Sequence, residues 1–128
     1  MAVKNLFAGK RILVLEDDYL VVEEMVQELA TSGADVVGPI ANLSKAFDRL
    51  NKVSDIQGAI LDINLQGEMV YPLADELVRR GIPFVFATAY DESALPAVYR
   101  QYRRFTKPVD VQEVAKVLLD GTDIRQPS

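Results

Sequence analysis

Arg11-Ile12-Leu13-Val14-Leu15 is a short, unbroken apolar run that stops abruptly at three acids, Glu16-Asp17-Asp18. A run of this length with no polar alternation suits a strand covered on both faces, as in a parallel sheet. Similar runs follow at Asp35-Val36-Val37-Gly38, Gly58-Ala59-Ile60-Leu61, Pro83-Phe84-Val85-Phe86-Ala87 and, weakly, Arg104-Phe105-Thr106. Between them the apolar residues fall at helical spacing. Val22, Met25, Val26 and Leu29 form one stripe, Val70, Leu73, Ala74 and Leu77 another, and Val111, Val114, Ala115 and Leu118 a third.

The punctuation agrees. Gly33 and Gly81 stand where helices should end, Asn42 or Ser44 can cap a helix running through Leu50, and Asp110 can cap the last one. A fourth helix is expected around Asp91 to Arg100, with Pro96 in its first turn or kinking it. The result is five strand–helix repeats, and right-handed crossovers place helices on both faces of one sheet. That predicts an α/β, doubly wound, flavodoxin-like (βα)5 fold with strand order 2-1-3-4-5, rather than a barrel or a six-stranded dinucleotide domain. One domain is expected over residues 1–128, with its core at about 10–120 and a short frayed tail at 121–128.

Composition narrows the chemistry. The chain has 128 residues, 49% hydrophobic and 26% charged, and a net charge of −5. An acidic balance argues against direct nucleic-acid binding, which needs a basic face, and against docking on an anionic membrane. No apolar stretch approaches the length of a membrane span, and residues 1–9 do not read as a secretory signal, so the expected location is the cytoplasm. There is neither Cys nor His. Thiol chemistry, imidazole-bound zinc and Ser-His-Asp triads are therefore excluded, and carboxylates, hydroxyls and lysine remain.

In open α/β sheets, ligands bind beyond the carboxyl ends of the strands, near the point where strand order reverses. The polar residues just past each apolar run are Glu16, Asp17 and Asp18, then Asp62 and Asn64, then Thr88, then Lys107-Pro108. Singly, each has a structural explanation as a helix cap, a turn former or a solvated surface group. Together they crowd carboxylates at one edge, which a divalent cation relieves. An all-oxygen donor set suits Mg²⁺. Lysine and a hydroxyl beside it suit a phosphoryl group, and a carboxylate can accept one as an aspartyl-phosphate.

In this order and at these strand ends, Glu16-Asp17, Asp62, Thr88 and Lys107-Pro108 resemble the pattern of a response-regulator receiver domain of two-component signalling, over essentially the whole chain. The resemblance implies that Asp62 is the phosphoacceptor. It implies that Asp17, Asp62 and the backbone carbonyl of Asn64 bind Mg²⁺, with Glu16 acting through water. Thr88 would bond a phosphoryl oxygen and Lys107 would pair with it; Asp18 reads as a helix cap. A histidine kinase or histidine phosphotransfer protein would dock at the first helix, around Tyr19 to Leu29. No catalysis beyond self-directed phosphotransfer and autodephosphorylation is implied, and the oligomeric state expected is a monomer or weak dimer.

Phe86-Ala87-Thr88-Ala89-Tyr90 is similar to the motif of the FAT GUY receiver subgroup, best known from alphaproteobacterial general stress signalling, with Ala89 in place of glycine and Tyr90 directly after it. Receivers ordinarily carry an aromatic residue about three positions before the lysine; here that residue is Arg104. The subgroup typically lacks that aromatic switch, which assigns the switch roles to Thr88 and Tyr90. Leu95, Val98 and Tyr99, with Arg100, Arg103 and Arg104, would form the changing surface offered to a downstream protein. A haloacid-dehalogenase-like phosphatase needs an acid where Asn64 stands, and a flavodoxin-like carrier needs a phosphate loop after the first strand that is missing here. A receiver serving as a phosphorylation-independent interaction module is the first alternative, with the phosphatase ranked below it.

Overall fold

The structure, a computed structural model, describes residues 5–89 and 95–119. In chain order its elements are β1 (Arg11–Leu15), α1 (Tyr19–Thr31), β2 (Asp35–Ile40), α2 (Leu43–Lys52), β3 (Ile56–Asp62), β4 (Asn64–Leu65) and β5 (Glu68–Met69). They continue with α3 (Tyr71–Arg80), β6 (Phe84–Thr88), a 3₁₀ turn (Ala97–Tyr99), β7 (Arg104–Thr106) and α4 (Val111–Leu119). Five strands form one parallel sheet in the order β2-β1-β3-β6-β7, while β4 and β5 make a separate antiparallel ribbon. Counted along the main sheet alone, the order is the expected 2-1-3-4-5.

Both sheet faces are buried, which is why the strands read as continuous apolar runs. Successive strand residues point to opposite faces. Leu13, Leu15, Ala59, Leu61, Phe84 and Phe86 pack under α2 and α3 with Leu43, Leu50, Leu73 and Leu77. Ile12, Val14, Ile60, Val85 and Ala87 pack under α1 and α4 with Val22, Leu29, Val114 and Leu118. The strands run from Ile56 to Asp62 and to Ile40 and Thr88, somewhat longer than their apolar runs, because main-chain pairing continues into the flanking residues.

The caps explain the helix limits. Asn42, not Ser44, caps α2, its side chain accepting the Lys45 N–H at 2.9 Å. Asp18 accepts from Leu20 N–H at 3.0 Å and Asp110 from Gln112 N–H at 2.9 Å. Gly81 ends α3 in the left-handed region, φ 72°. Gly38 lies at φ 129°, and a Cβ there would sit 2.5 Å from the Val14 carbonyl oxygen, so β1 and β2 approach at a distance only glycine allows.

Two expectations change. The packed core begins before residue 10: Phe7 is 0% exposed, belongs to the core cluster that α1 and α4 cover, and its N–H donates to Ser32 O at 2.9 Å. The described part of the expected fourth helix is not α-helical. Pro96 is extended (ψ 145°), and a single 3₁₀ turn follows, with Tyr99 N–H bonded to Pro96 O at 3.0 Å and Arg100 N–H to Ala97 O at 3.2 Å. A proline in the extended region cannot carry an α-helix through, and it disfavours helical backbone at Leu95 as well. Tyr90, residues 91–94 and the tail at 121–128 lie outside the described residues.

Candidate functional site

Four parallel strands deliver polar residues to one sheet edge. Glu16 and Asp17 follow β1, Asp62 ends β3, Thr88 ends β6, and Lys107 follows β7. Glu16, Asp62 and Thr88 are the buried polar residues of the described chain, at 2%, 5% and 4% exposure. The backbone builds the juxtaposition: Lys107 N–H donates to Thr88 O at 3.0 Å, and Glu16 N–H to Ile40 O at 3.0 Å. The Lys107–Pro108 peptide bond is cis.

The Lys107 ammonium lies between two carboxylates, bonded to Glu16 Oε2 and 3.2 Å from Asp62 Oδ2. Burial, and hydrogen bonding with Asp62, push the Glu16 carboxyl above its usual range despite the opposing pull of Lys107. Burial works to lower the Lys107 pKa, but the hydrogen bond to Glu16 and the charges of Asp62 and Glu16 outweigh it, so the ammonium is held above its ordinary value. One ammonium thus serves two buried carboxylates at this edge.

Glu16, Asp17 and Asp62 each bring a carboxylate oxygen, all within 4.8 Å of one another. They open onto a cavity of about 250 Å³, whose walls include Asn64, Ala89 and Lys107 and whose rim carries Gln66 and Gly67. A liquid water occupies roughly 30 Å³, so this space accommodates a hydrated ion together with a small anionic group. Hard oxygen donors, excess negative charge and room for retained waters fit Mg²⁺.

The structure therefore brings Glu16, Asp17, Asp62, Asn64 and Lys107 together and leaves Thr88 at the same edge; Tyr90 lies outside the described residues. Asp18 lines the cavity while its carboxylate caps α1, as expected of it. What sequence reasoning missed is the β4–β5 ribbon that forms the rim. Gln66 and Gly67, at φ 56° and 92°, make the two-residue turn, and Asn64 Oδ1 accepts the Gly67 N–H at 2.6 Å. A glycine between two short segments was the available signal.

The surface after β6 also differs from expectation. Leu95 is buried at 3% exposure, not offered to a partner, whereas Val98 is 61% exposed. Arg100 Nε donates to Leu95 O at 3.0 Å and an Arg104 guanidinium nitrogen to Arg100 O at 2.7 Å, so these arginines brace the turn. Tyr99 stacks on Tyr71 with centroids 4.2 Å apart, and Tyr102 packs on Phe84 and Phe86.

Neither a protein-family model nor a curated protein sequence matches the chain. Solved structures do. The solution structure of SdrG from Sphingomonas melonis Fr1 is 34% identical, with a TM-score of 0.74 over 85% of this chain and 92% of that one. PhyR, a response regulator from Brucella abortus, shares the fold at 23% identity and a TM-score of 0.73, over 91% of this chain and 51% of that one. This chain belongs to the response-regulator receiver family. The receiver also matches a response regulator from Burkholderia pseudomallei, solved with a phosphorylated aspartic acid, calcium ion and citrate, at 20% identity and a TM-score of 0.72, over 86% of this chain and 66% of that one. As a receiver it has a signalling role, and its acidic cluster can take a divalent metal. Among the described residues, no helix of the receiver is long and apolar enough to cross a membrane.

Proposed function

We propose that this receiver accepts a phosphoryl group on Asp62 in a magnesium-dependent transfer and signals by protein–protein contact or by drawing phosphoryl groups from a shared pool. The observation that carries the reading is the convergence of buried Asp62 with Glu16, Asp17 and Lys107 on one polar cavity. The phosphorylated aspartic acid of the Burkholderia pseudomallei regulator supports it by analogy.

In this reading a carboxylate oxygen of Asp62 attacks the donor phosphorus. The bond from phosphorus to the donor's nitrogen or oxygen breaks, the leaving atom takes the electron pair, and an acyl phosphate forms on Asp62. The chain holds no His, so a phosphohistidine donor belongs to a kinase or phosphotransfer protein, with small phosphodonors as the other source. Lys107, already 3.2 Å from Asp62 Oδ2, exchanges part of its carboxylate pairing for a phosphoryl oxygen, and the Thr88 hydroxyl donates to another. The side chains of Glu16, Asp17 and Asp62, with the Asn64 carbonyl, would hold Mg²⁺. When bound, the ion neutralises charge on the transferring oxygens. Phe86-Ala87-Thr88, with Arg104 where an aromatic switch residue would stand, supports the FAT GUY subgroup and a switch through Thr88 and Tyr90.

The test is incubation with Mg²⁺ and acetyl phosphate followed by intact mass. Wild type should gain one phosphoryl group, Asp62→Asn none, and EDTA should abolish the gain. Failure of wild type to gain mass under conditions that label another receiver overturns the reading.

A further inference from the structure

The β4–β5 ribbon forms the rim of the acidic cavity, yet it has only two residues a side, paired Asn64 with Met69 and Leu65 with Glu68. A ribbon this short has little stability of its own. Leu65 is its apolar anchor, buried in the cluster that also holds Leu43 and Val70. Its polar anchor is Glu68, whose Oε1 accepts the Leu43 N–H at 3.0 Å. Leu43 is the first residue of α2, where the N–H has no partner within the helix and the dipole favours an anion. Asn42 caps the same helix end through Lys45 N–H, so α2 presents two satisfied donors, one of them bonded to the ribbon.

We propose that Glu68 is a positioning residue for metal binding: by clasping the ribbon to the start of α2, it fixes the backbone from Asn64 to Gly67 as one wall of the cavity. This rests on the reading of the cavity as the magnesium site. The ribbon begins two residues after Asp62, and the Asn64 N–H lies 3.4 Å from Asp62 Oδ1, so ribbon and phosphoacceptor share one short stretch of backbone. A ligand carbonyl on a rigid wall binds without first being ordered; on a loosened one it does not.

The test compares full-length wild type, Glu68→Gln and Glu68→Ala by NMR, with Mg²⁺ alone as the probe. Amide shifts of Asn64 and Gly67 report metal affinity, and amide exchange of Leu43 and Gly67 without metal reports the clasp. Glu68→Ala should bind Mg²⁺ about tenfold more weakly, in the range seen when supporting partners of metal ligands are removed. It should also exchange faster at Leu43 and Gly67, with β1 and β3 amides unchanged. Glu68→Gln, which keeps the acceptor oxygen, should restore both. Unchanged affinity in Glu68→Ala, or a Gln variant as weak as the Ala variant, overturns the proposal. Absence of Mg²⁺ binding by wild type would count against the metal reading alone. Exchange at Gly67 then still decides the clasp, faster exchange in Glu68→Ala supporting it and unchanged exchange overturning it.

Discussion

Lys107 Nζ lies 3.2 Å from Asp62 Oδ2, reaching from β7 past the intervening strand β6 to the end of β3. The same ammonium bonds Glu16, so one cation compensates two buried carboxylates. Removing one partner of a buried pair leaves charge uncompensated and typically costs about 3–5 kcal/mol. Lys107→Met should therefore unfold at clearly lower urea concentration than wild type in EDTA, and Mg²⁺ should restore part of the difference. A midpoint unchanged in EDTA would show that the ammonium is not what holds the carboxylates.

Burial and hydrogen bonding with Asp62 both act against the charge on Glu16. Glu16→Gln removes that repulsion while keeping an oxygen for Lys107. Its metal-free stability should equal or exceed that of wild type. Mg²⁺ at ten times its Kd should stabilise wild type by about 1.4 kcal/mol through mass action, and the same concentration should stabilise the variant less. Chemical denaturation with and without Mg²⁺ reads both quantities.

These residues were legible in the sequence because each follows an apolar run, and a parallel sheet brings the ends of its strands to one edge. Which carboxylate Lys107 would prefer was not legible, because that depends on distances across β6. Nor was the β4–β5 ribbon, since two-residue strands are too short for any periodicity to register. The expected fourth helix failed at Pro96, whose extended backbone keeps an α-helix from running through it. There Leu95 is buried, but as an anchor for a 3₁₀ turn.

Phe7 escaped notice for a different reason: a lone aromatic outside any periodic run carries no pattern. It is 0% exposed in the core cluster that α1 and α4 cover, and the turn around it is tied to the end of α1 by Phe7 N–H to Ser32 O and Gly9 N–H to Gly33 O. Truncating a fully buried Phe to Ala costs about 3–5 kcal/mol. Phe7→Ala, and equally a chain begun at residue 10, should lower stability by that order in urea titrations while leaving phosphoryl labelling of the folded fraction intact. Loss of labelling without loss of stability would contradict a purely packing role.

Tyr99 offers a pH-dependent readout of how the 3₁₀ turn is held to α3. Its hydroxyl donates to both carboxylate oxygens of Asp75, at 3.0 and 3.1 Å, while its ring stacks on Tyr71. Burial, then the hydrogen bond and charge of Asp75, raise the Tyr99 pKa above the usual 10.0. The neutral phenol is therefore favoured by folding. Its contribution to stability is fully present below the unfolded pKa near 10.0 and is lost as pH rises through the higher folded value. Tyrosinate absorbance should show late-titrating phases from Tyr99 and Tyr71 in wild type; the Tyr99 phase vanishes in Tyr99→Phe and moves to lower pH in Asp75→Asn, where an acceptor remains but the charge does not. Tyr71, raised by burial alone, should keep its own late phase in Asp75→Asn. If Asp75→Asn leaves the Tyr99 phase where it was, the carboxylate's charge is not what holds the phenol neutral, and burial is what raises it.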